Sequence, residues 1–138
     1  MANQNPNLEI KRGRGETSVE PQILVIDDEE ILRDVIKEVL ELMNIPAVFA
    51  DGGVNGVDLF KQYTAHIKLV LLDVLMPVMG GVETFQQIYT LNPDVKVIFM
   101  SGYPDNDALA IQNLPGTIEF VKKPFSVQEI MSTIRKML

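Results

Sequence analysis

From Gln22 onward the chain switches repeatedly between two hydrophobic patterns. Ile23-Leu24-Val25-Ile26, Ala47-Val48-Phe49-Ala50 and Leu69-Val70-Leu71-Leu72 are short apolar runs without alternation. Val95-Lys96-Val97-Ile98-Phe99-Met100 is nearly so, and Thr117-Ile118-Glu119-Phe120-Val121 is the fifth strand candidate. Runs of this length and kind read as strands covered on both faces. Between them, apolar residues recur at helical spacing. Ile31, Val35, Val39 and Leu42 form one stripe, widened by Leu32, Ile36, Leu40 and Met43. Asp51-Gly52-Gly53 breaks the second strand, and Val54 to Tyr63 reads as a helix turning Val57 and Phe60 inward. Gly80-Gly81 opens a third helix carrying Phe85, Ile88 and Leu91, and a weaker helix covers Asp105 to Leu114. The last helix starts from a capping box, Ser126 to Glu129, and turns Val127, Ile130, Ile134 and Leu138 inward.

Strict alternation of strand and helix demands crossover connections, hence a parallel sheet with helices on both faces. In such open sheets functional groups collect beyond the carboxyl ends of the strands. The residues found there form a consistent set. Asp27-Asp28 follows the first run, Asp73 the third, Ser101 the fourth, and Lys122-Lys123-Pro124 the fifth.

Composition narrows the setting. The chain has 138 residues, one domain by size, and 46% hydrophobic residues, enough for a core. It has no cysteine, so disulfides and thiolate metal sites are excluded. No apolar run is long enough to span a bilayer, and Met1 to Glu20 lacks the apolar segment of a secretory signal. A cytoplasmic protein without membrane attachment is expected. The net charge of −7 argues against binding nucleic acid backbones. In residues 1–20 Lys11, Arg12 and Arg14 balance Glu9, Glu16 and Glu20 without apolar periodicity, which reads as a flexible tail preceding a domain over 21–138. Gly13 and Gly15 follow no strand and open no helix, so they read as linker rather than phosphate loop.

The candidate cluster has a definite chemistry. Crowded carboxylates cannot all stay ionised without a compensating cation. Oxygen ligands with no His or Cys nearby suit a hard ion, Mg²⁺ or Mn²⁺. A carboxylate can attack phosphorus to give an acyl phosphate. An ammonium and a hydroxyl nearby, here Lys123 and Ser101, can stabilise the transferring group.

These stretches together resemble the receiver domain of response regulators. The motifs are Ile23 to Glu29, Leu71 to Gly81 with Asp73 and Met76-Pro77, Met100-Ser101-Gly102-Tyr103, and Val121 to Phe125. The resemblance implies a flavodoxin-like, doubly wound (βα)5 fold with strand order 2-1-3-4-5, the order of the chemotaxis receiver. It implies that Asp73 is the phosphoacceptor. Asp28 and Asp73 would ligate Mg²⁺ together with the backbone carbonyl of Leu75, with Asp27 acting mainly through bound water. Lys123, which directly precedes Pro124, corresponds to the family lysine, and its bond to proline would be cis. Ser101 and Phe120 would be the coupled switch residues. The implied partners are a histidine kinase or histidine phosphotransfer protein and a downstream protein target.

Some positions vary within that family. Leu75 and Tyr103 flank the expected path of a hydrolytic water and would lengthen the life of an acyl phosphate. Met100 to Tyr103, Leu114-Pro115-Gly116 and Lys123 to Ser126 are similar to receivers attached to hybrid sensor kinases. The chain stops at the fifth helix, so either a single-domain regulator or an excised receiver is expected, with output by protein contact or phosphoryl relay.

Rival readings differ at named positions. Asp27 and Asp28 could cap the first helix, and Phe120 could be plain core. Lys122 reads as a solvated strand residue and His66 as a surface residue. An interaction module that takes no phosphate would lack one of Asp27, Asp28, Asp73 or Lys123. A flavin protein would not place Asp27 to Glu30 where phosphate binds, and an aspartate phosphohydrolase would want a carboxylate where Leu75 stands. Assisted phosphorylation of the chain itself is expected, not turnover of a substrate.

Overall fold

The computed structural model describes residues 19–138; the reading of residues 1–18 as a tail lies outside these. Strands β1 (Ile23–Ile26), β2 (Ala47–Ala50), β3 (Leu69–Asp73), β4 (Lys96–Ser101) and β5 (Thr117–Lys122) alternate with helices α1 (Glu30–Leu42), α2 (Gly53–Gln62), α3 (Gly81–Leu91), α4 (Pro104–Ile111) and α5 (Val127–Met137). The strands pair in parallel in the order β2-β1-β3-β4-β5. This is the flavodoxin-like arrangement expected from the alternation and the motifs.

The unbroken apolar runs are explained by the two cores. Leu24, Ile26, Val48, Val70, Leu72, Val97 and Phe99 face α2 and α3, meeting Val57, Phe60, Phe85 and Ile88. The alternate residues Ile23, Val25, Phe49, Leu69, Leu71, Ile98 and Met100 face α1 and α5, meeting Ile36, Val39, Leu40, Ile130 and Ile134. Each residue of β1, β2 and β3 therefore leaves water whichever face it occupies, whereas in the edge strand β5 only Val121 is buried; at about 25 cal/mol per Å² such burial dominates the stability.

Three helical stripes differ from the expected ones. In α1, Ile36, Val39 and Leu40 are buried, with Leu32 and Met43 packed against them, whereas Ile31, Val35 and Leu42 are exposed. At about 100° per residue the inward five lie within an arc of roughly 100°, and the other three fall beyond its edge. A helix lying on a flat sheet covers only such an arc. In α3, Leu91 ends the helix and is 40% exposed. In α5, Val127 and Leu138 stand at the two ends in solvent, and Met137 takes the inward place at the last turn.

The helix ends follow their local chemistry. The capping box at Ser126 and Glu129 is formed. After α1, Asn44 adopts φ 59°. The amides of Asn44 and Ile45 then donate to the Glu41 and Leu40 carbonyls, the paired bonds of a left-handed helix stop.

Candidate functional site

The sheet register gathers the polar residues. Asp73 closes β3 opposite Met100, and Ser101 closes β4 opposite Lys122. The ladder continues past the strand ends. The Asp27 amide donates to the Ala50 carbonyl, Val74 to Met100 and Lys123 to Ser101. Asp27, Asp28, Asp73, Ser101 and Lys123 thus reach one edge of the sheet on backbones held by hydrogen bonds. The Lys123–Pro124 peptide is cis.

Gly81 makes the close approach of α3 to β3 possible. A Cβ there would collide with the Asp73 carbonyl oxygen and lie 2.7 Å from Val74 Cα. The loop between them carries Val78 at φ 69°, with the Met79 amide donating to the Pro77 carbonyl at 2.8 Å. That is a tight γ-turn in which a β-branched residue is strained. Its side chain is 98% exposed, so packing does not compensate locally.

Lys123 is the hub. Its Nζ donates to Asp27 Oδ2 at 3.0 Å, Asp73 Oδ1 at 3.1 Å and Glu29 Oε1 at 3.3 Å, using all three ammonium protons. Asp27 is fully buried; its other oxygen accepts the Glu29 amide at 2.8 Å, and its carbonyl accepts from the Arg33 guanidinium at 2.6 Å. The capping alternative fails here: α1 has Glu29 at its N-cap and no side-chain cap bond. Asp28 is exposed. One carboxylate oxygen from each of Asp27, Asp28 and Asp73 lies within 4.8 Å of the others.

Burial, then repulsion from the Asp27 carboxylate, pushes the Asp73 carboxyl up to about 7 despite attraction and hydrogen bonding from Lys123. Burial also raises Asp27, against the Glu29 amide and Lys123. For Lys123, burial favours the neutral amine, but the attraction of Asp27 and Asp73 outweighs it and raises the group overall. When ionised, Asp27, Asp28, Asp73 and Glu29 place four carboxylates around one ammonium, leaving three excess negative charges. An all-oxygen set with that deficit fits one hard divalent cation.

Ser101 is buried and already engaged. Its hydroxyl donates to the carboxylate of Asp107 in α4, and it accepts the Tyr103 amide at 2.9 Å. Phe120 pairs with Phe99 across the sheet and is half-buried. It lines a shallow groove of about 440 Å³ with Ala108, Ile111, Leu114 and Ile118. Leu75 and Tyr103, in the loops after β3 and β4, are 65% and 62% exposed. Lys122 is exposed, and His66 is half-exposed with Glu20 4.0 Å away. Sequence reasoning missed three participants: Glu29, Arg33 and Asp107. Glu29 was visible as part of the acidic run after β1. The Asp107 contact had no signal, because α4 has a weak apolar pattern that left its orientation open.

The comparisons agree with this architecture. A family model described as the response regulator receiver domain matches residues 23–135. The chain belongs to that family. It is 31% identical over 118 residues to sensor kinase CckA of Brucella abortus, covering 84% of this chain and 12% of that protein. It is 27% identical to chemotaxis protein CheY of Halobacterium salinarum, covering 85% of this chain and 96% of the relative. The chain thus spans about an eighth of one relative's length and nearly all of the other's. Among solved structures, a response regulator receiver domain protein from Clostridium thermocellum superposes with a TM-score of 0.76 at 29% identity, covering 85% of this chain and 93% of that one. Among the described residues, no helix is long and apolar enough to cross a membrane.

Proposed function

We propose that this receiver domain takes a phosphoryl group onto Asp73 from a phosphohistidine of a histidine kinase or phosphotransfer protein. The observation that carries the reading is the Lys123 ammonium held between the buried carboxylates of Asp27 and Asp73, with an oxygen of Asp28 alongside. In the transfer, an Asp73 carboxylate oxygen bonds to phosphorus and the P–N bond to imidazole breaks. The electron pair leaves with the imidazole nitrogen, which is released neutral from a phosphohistidine protonated on its other nitrogen. Lys123 faces the developing charge on the phosphoryl oxygens, and the Ser101 hydroxyl reaches them once freed. Asp27, Asp28, Asp73 and the carbonyl of Leu75 would hold Mg²⁺, or Mn²⁺, which when bound neutralises charge on the transferring group.

Output follows from Ser101 and Phe120. Phe120 lies beside α4, so a shift of Ser101 and α4 changes the groove it lines and hence the surface offered to a downstream protein. The domain spans residues 21–138 and works in the cytoplasm. It passes on its signal by protein contact or by relaying the phosphoryl group, not by turning over a substrate.

The test is direct. Incubation with acetyl phosphate and Mg²⁺ gives a phosphoryl adduct in the intact mass, and excess chelator present from the start prevents its formation. An adduct formed at the same rate in chelator would overturn the metal's role. No adduct under any phosphodonor would favour an interaction module that takes no phosphate.

The site also makes a linkage prediction. Because the Asp73 carboxyl is raised to about 7, the folded state binds more protons than the unfolded state between about pH 4 and 7. Its contribution is fully present below the unfolded value and is lost as pH rises through about 7. Stability without metal therefore falls across that window, and the stabilisation by Mg²⁺ grows as Asp73 ionises. Thermal melts at pH 5.5 and 8, with and without Mg²⁺, should show a larger metal-induced shift at pH 8; equal shifts would contradict the coupling.

The exposed pair Leu75 and Tyr103 would slow hydrolysis by screening Asp73 from water. Leu75→Asn with Tyr103→Glu should shorten the phosphoryl lifetime severalfold in a radiolabel decay assay. Equal lifetimes would remove these residues from the account.

A further inference from the structure

We propose that Asp107 is a latch that opposes the switch by holding the Ser101 hydroxyl in competition with the phosphoryl group. The inference rests on the proposed role of Ser101 and adds to it a residue that sets how easily the switch moves.

A serine hydroxyl has one proton to donate. Here that proton goes to the Asp107 carboxylate, while the Tyr103 amide occupies an acceptor position on the same oxygen. The bond is charge-assisted, and Ser101 is only 1% exposed, so water competes poorly for it. If Ser101 is to donate to a phosphoryl oxygen at Asp73, it must first release Asp107. The two bonds are mutually exclusive on valence alone.

Release bears on α4 because this helix is lightly anchored. Of its eight residues only Ile111 is buried, near its carboxyl end. Asp107 sits in the first turn, so its bond to Ser101 ties that turn to the end of β4. Once released, the carboxylate can turn toward solvent or toward the free amides at the start of α4, where negative charge is favoured. Breaking one contact thereby converts a change at the sheet edge into freedom of the first turn of α4, next to the groove that Phe120 lines.

The test uses beryllofluoride with Mg²⁺ as a stable mimic of the phosphoryl group, titrated into the full chain. Asp107→Ala should bind it roughly three- to tenfold more tightly, as expected for removal of one competing hydrogen bond. Asp107→Asn, of equal size and still an acceptor, should fall between. In a Ser101→Ala background the Asp107→Ala gain should vanish. An equal gain in that background would assign it to the removed charge and overturn the latch, as would unchanged or weaker binding in Asp107→Ala alone. Melting curves identify any variant that fails to fold, and Asp107→Asn then carries the comparison. If the unaltered chain takes up beryllofluoride but the variants do not differ, the latch falls and the phosphoacceptor reading stands. No uptake by the unaltered chain would overturn both.

Discussion

Lys123→Ala is expected to lower stability by roughly 3 kcal/mol near pH 8, the largest loss expected from a single side chain at this site. Lys123 is the one cation paired with the carboxylates of Asp27 and Asp73 among the described residues, and the Asp27 side chain is completely shielded from solvent. Removing one partner of a buried pair leaves an uncompensated buried charge, which generally costs more than the pair contributed. The lower end of the usual range applies, because Asp28 opens the cluster to water and Asp73 can take up a proton near neutrality. The sign with pH follows. Asp73, raised by burial to about 7, takes up a proton as the pH falls, and burial raises Asp27 in the same direction, so the need for the ammonium lessens. The deficit of the variant should therefore shrink steadily toward pH 5. Urea unfolding at both ends of this range checks it; a deficit that is equal at pH 5 and pH 8 would mean that Lys123 acts through packing alone.

The same variant separates the two cations at the site. Mg²⁺ affinity should hold or rise in Lys123→Ala, since a competing positive charge has gone from the same carboxylates. Phosphorylation by acetyl phosphate should slow by roughly a hundredfold, the effect typical of losing one preorganised donor to a transferring group. Loss of Mg²⁺ binding together with phosphorylation would instead make Lys123 a structural support for the metal ligands.

The sheet was legible because its residues carry a one-to-one signal. Ile23 to Ile26 and Leu69 to Leu72 are apolar throughout because both faces of a central parallel strand are covered, so pattern and environment agree residue by residue. The site was legible for a related reason. A polar residue directly after a buried run has one place to go, the carboxyl edge of the sheet, and Asp27, Asp73 and Ser101 all went there. The α1 stripe was harder to read. Eight apolar positions exceed what one helix face can bury, and nothing in the pattern says that Leu32, Ile36 and Leu40 win over Ile31, Val35 and Leu42. The choice is made by the sheet beneath, through the positions of Val25, Phe49 and Leu71.

Contacts between elements distant in sequence were legible only when both partners lay at strand ends. Lys123 with Asp27 and Asp73 met that condition. Asp107 did not, because it belongs to a short helix in which only Ile111 is buried, so the apolar pattern does not fix the rotation of the helix. Ser101 illustrates the difference. Its place at the end of β4 followed from the sequence, whereas its engagement by Asp107 needed the fold.

Asp73→Asn is expected to abolish phosphoryl uptake altogether. The amide keeps the shape of the side chain but lacks a nucleophilic carboxylate, and an amide oxygen forms no stable acyl phosphate. The variant should still fold, since a neutral group at this position relieves the repulsion with Asp27 that helps to raise the Asp73 carboxyl. The decisive measurement is the intact mass of the chain after incubation with acetyl phosphate and Mg²⁺, followed by reductive trapping of the acyl phosphate with borohydride and peptide mapping. One adduct is expected in the unaltered chain, mapped to Asp73 and missing from Asp73→Asn. An adduct of equal yield in Asp73→Asn, or one mapped to Asp28 in the unaltered chain, would contradict that assignment.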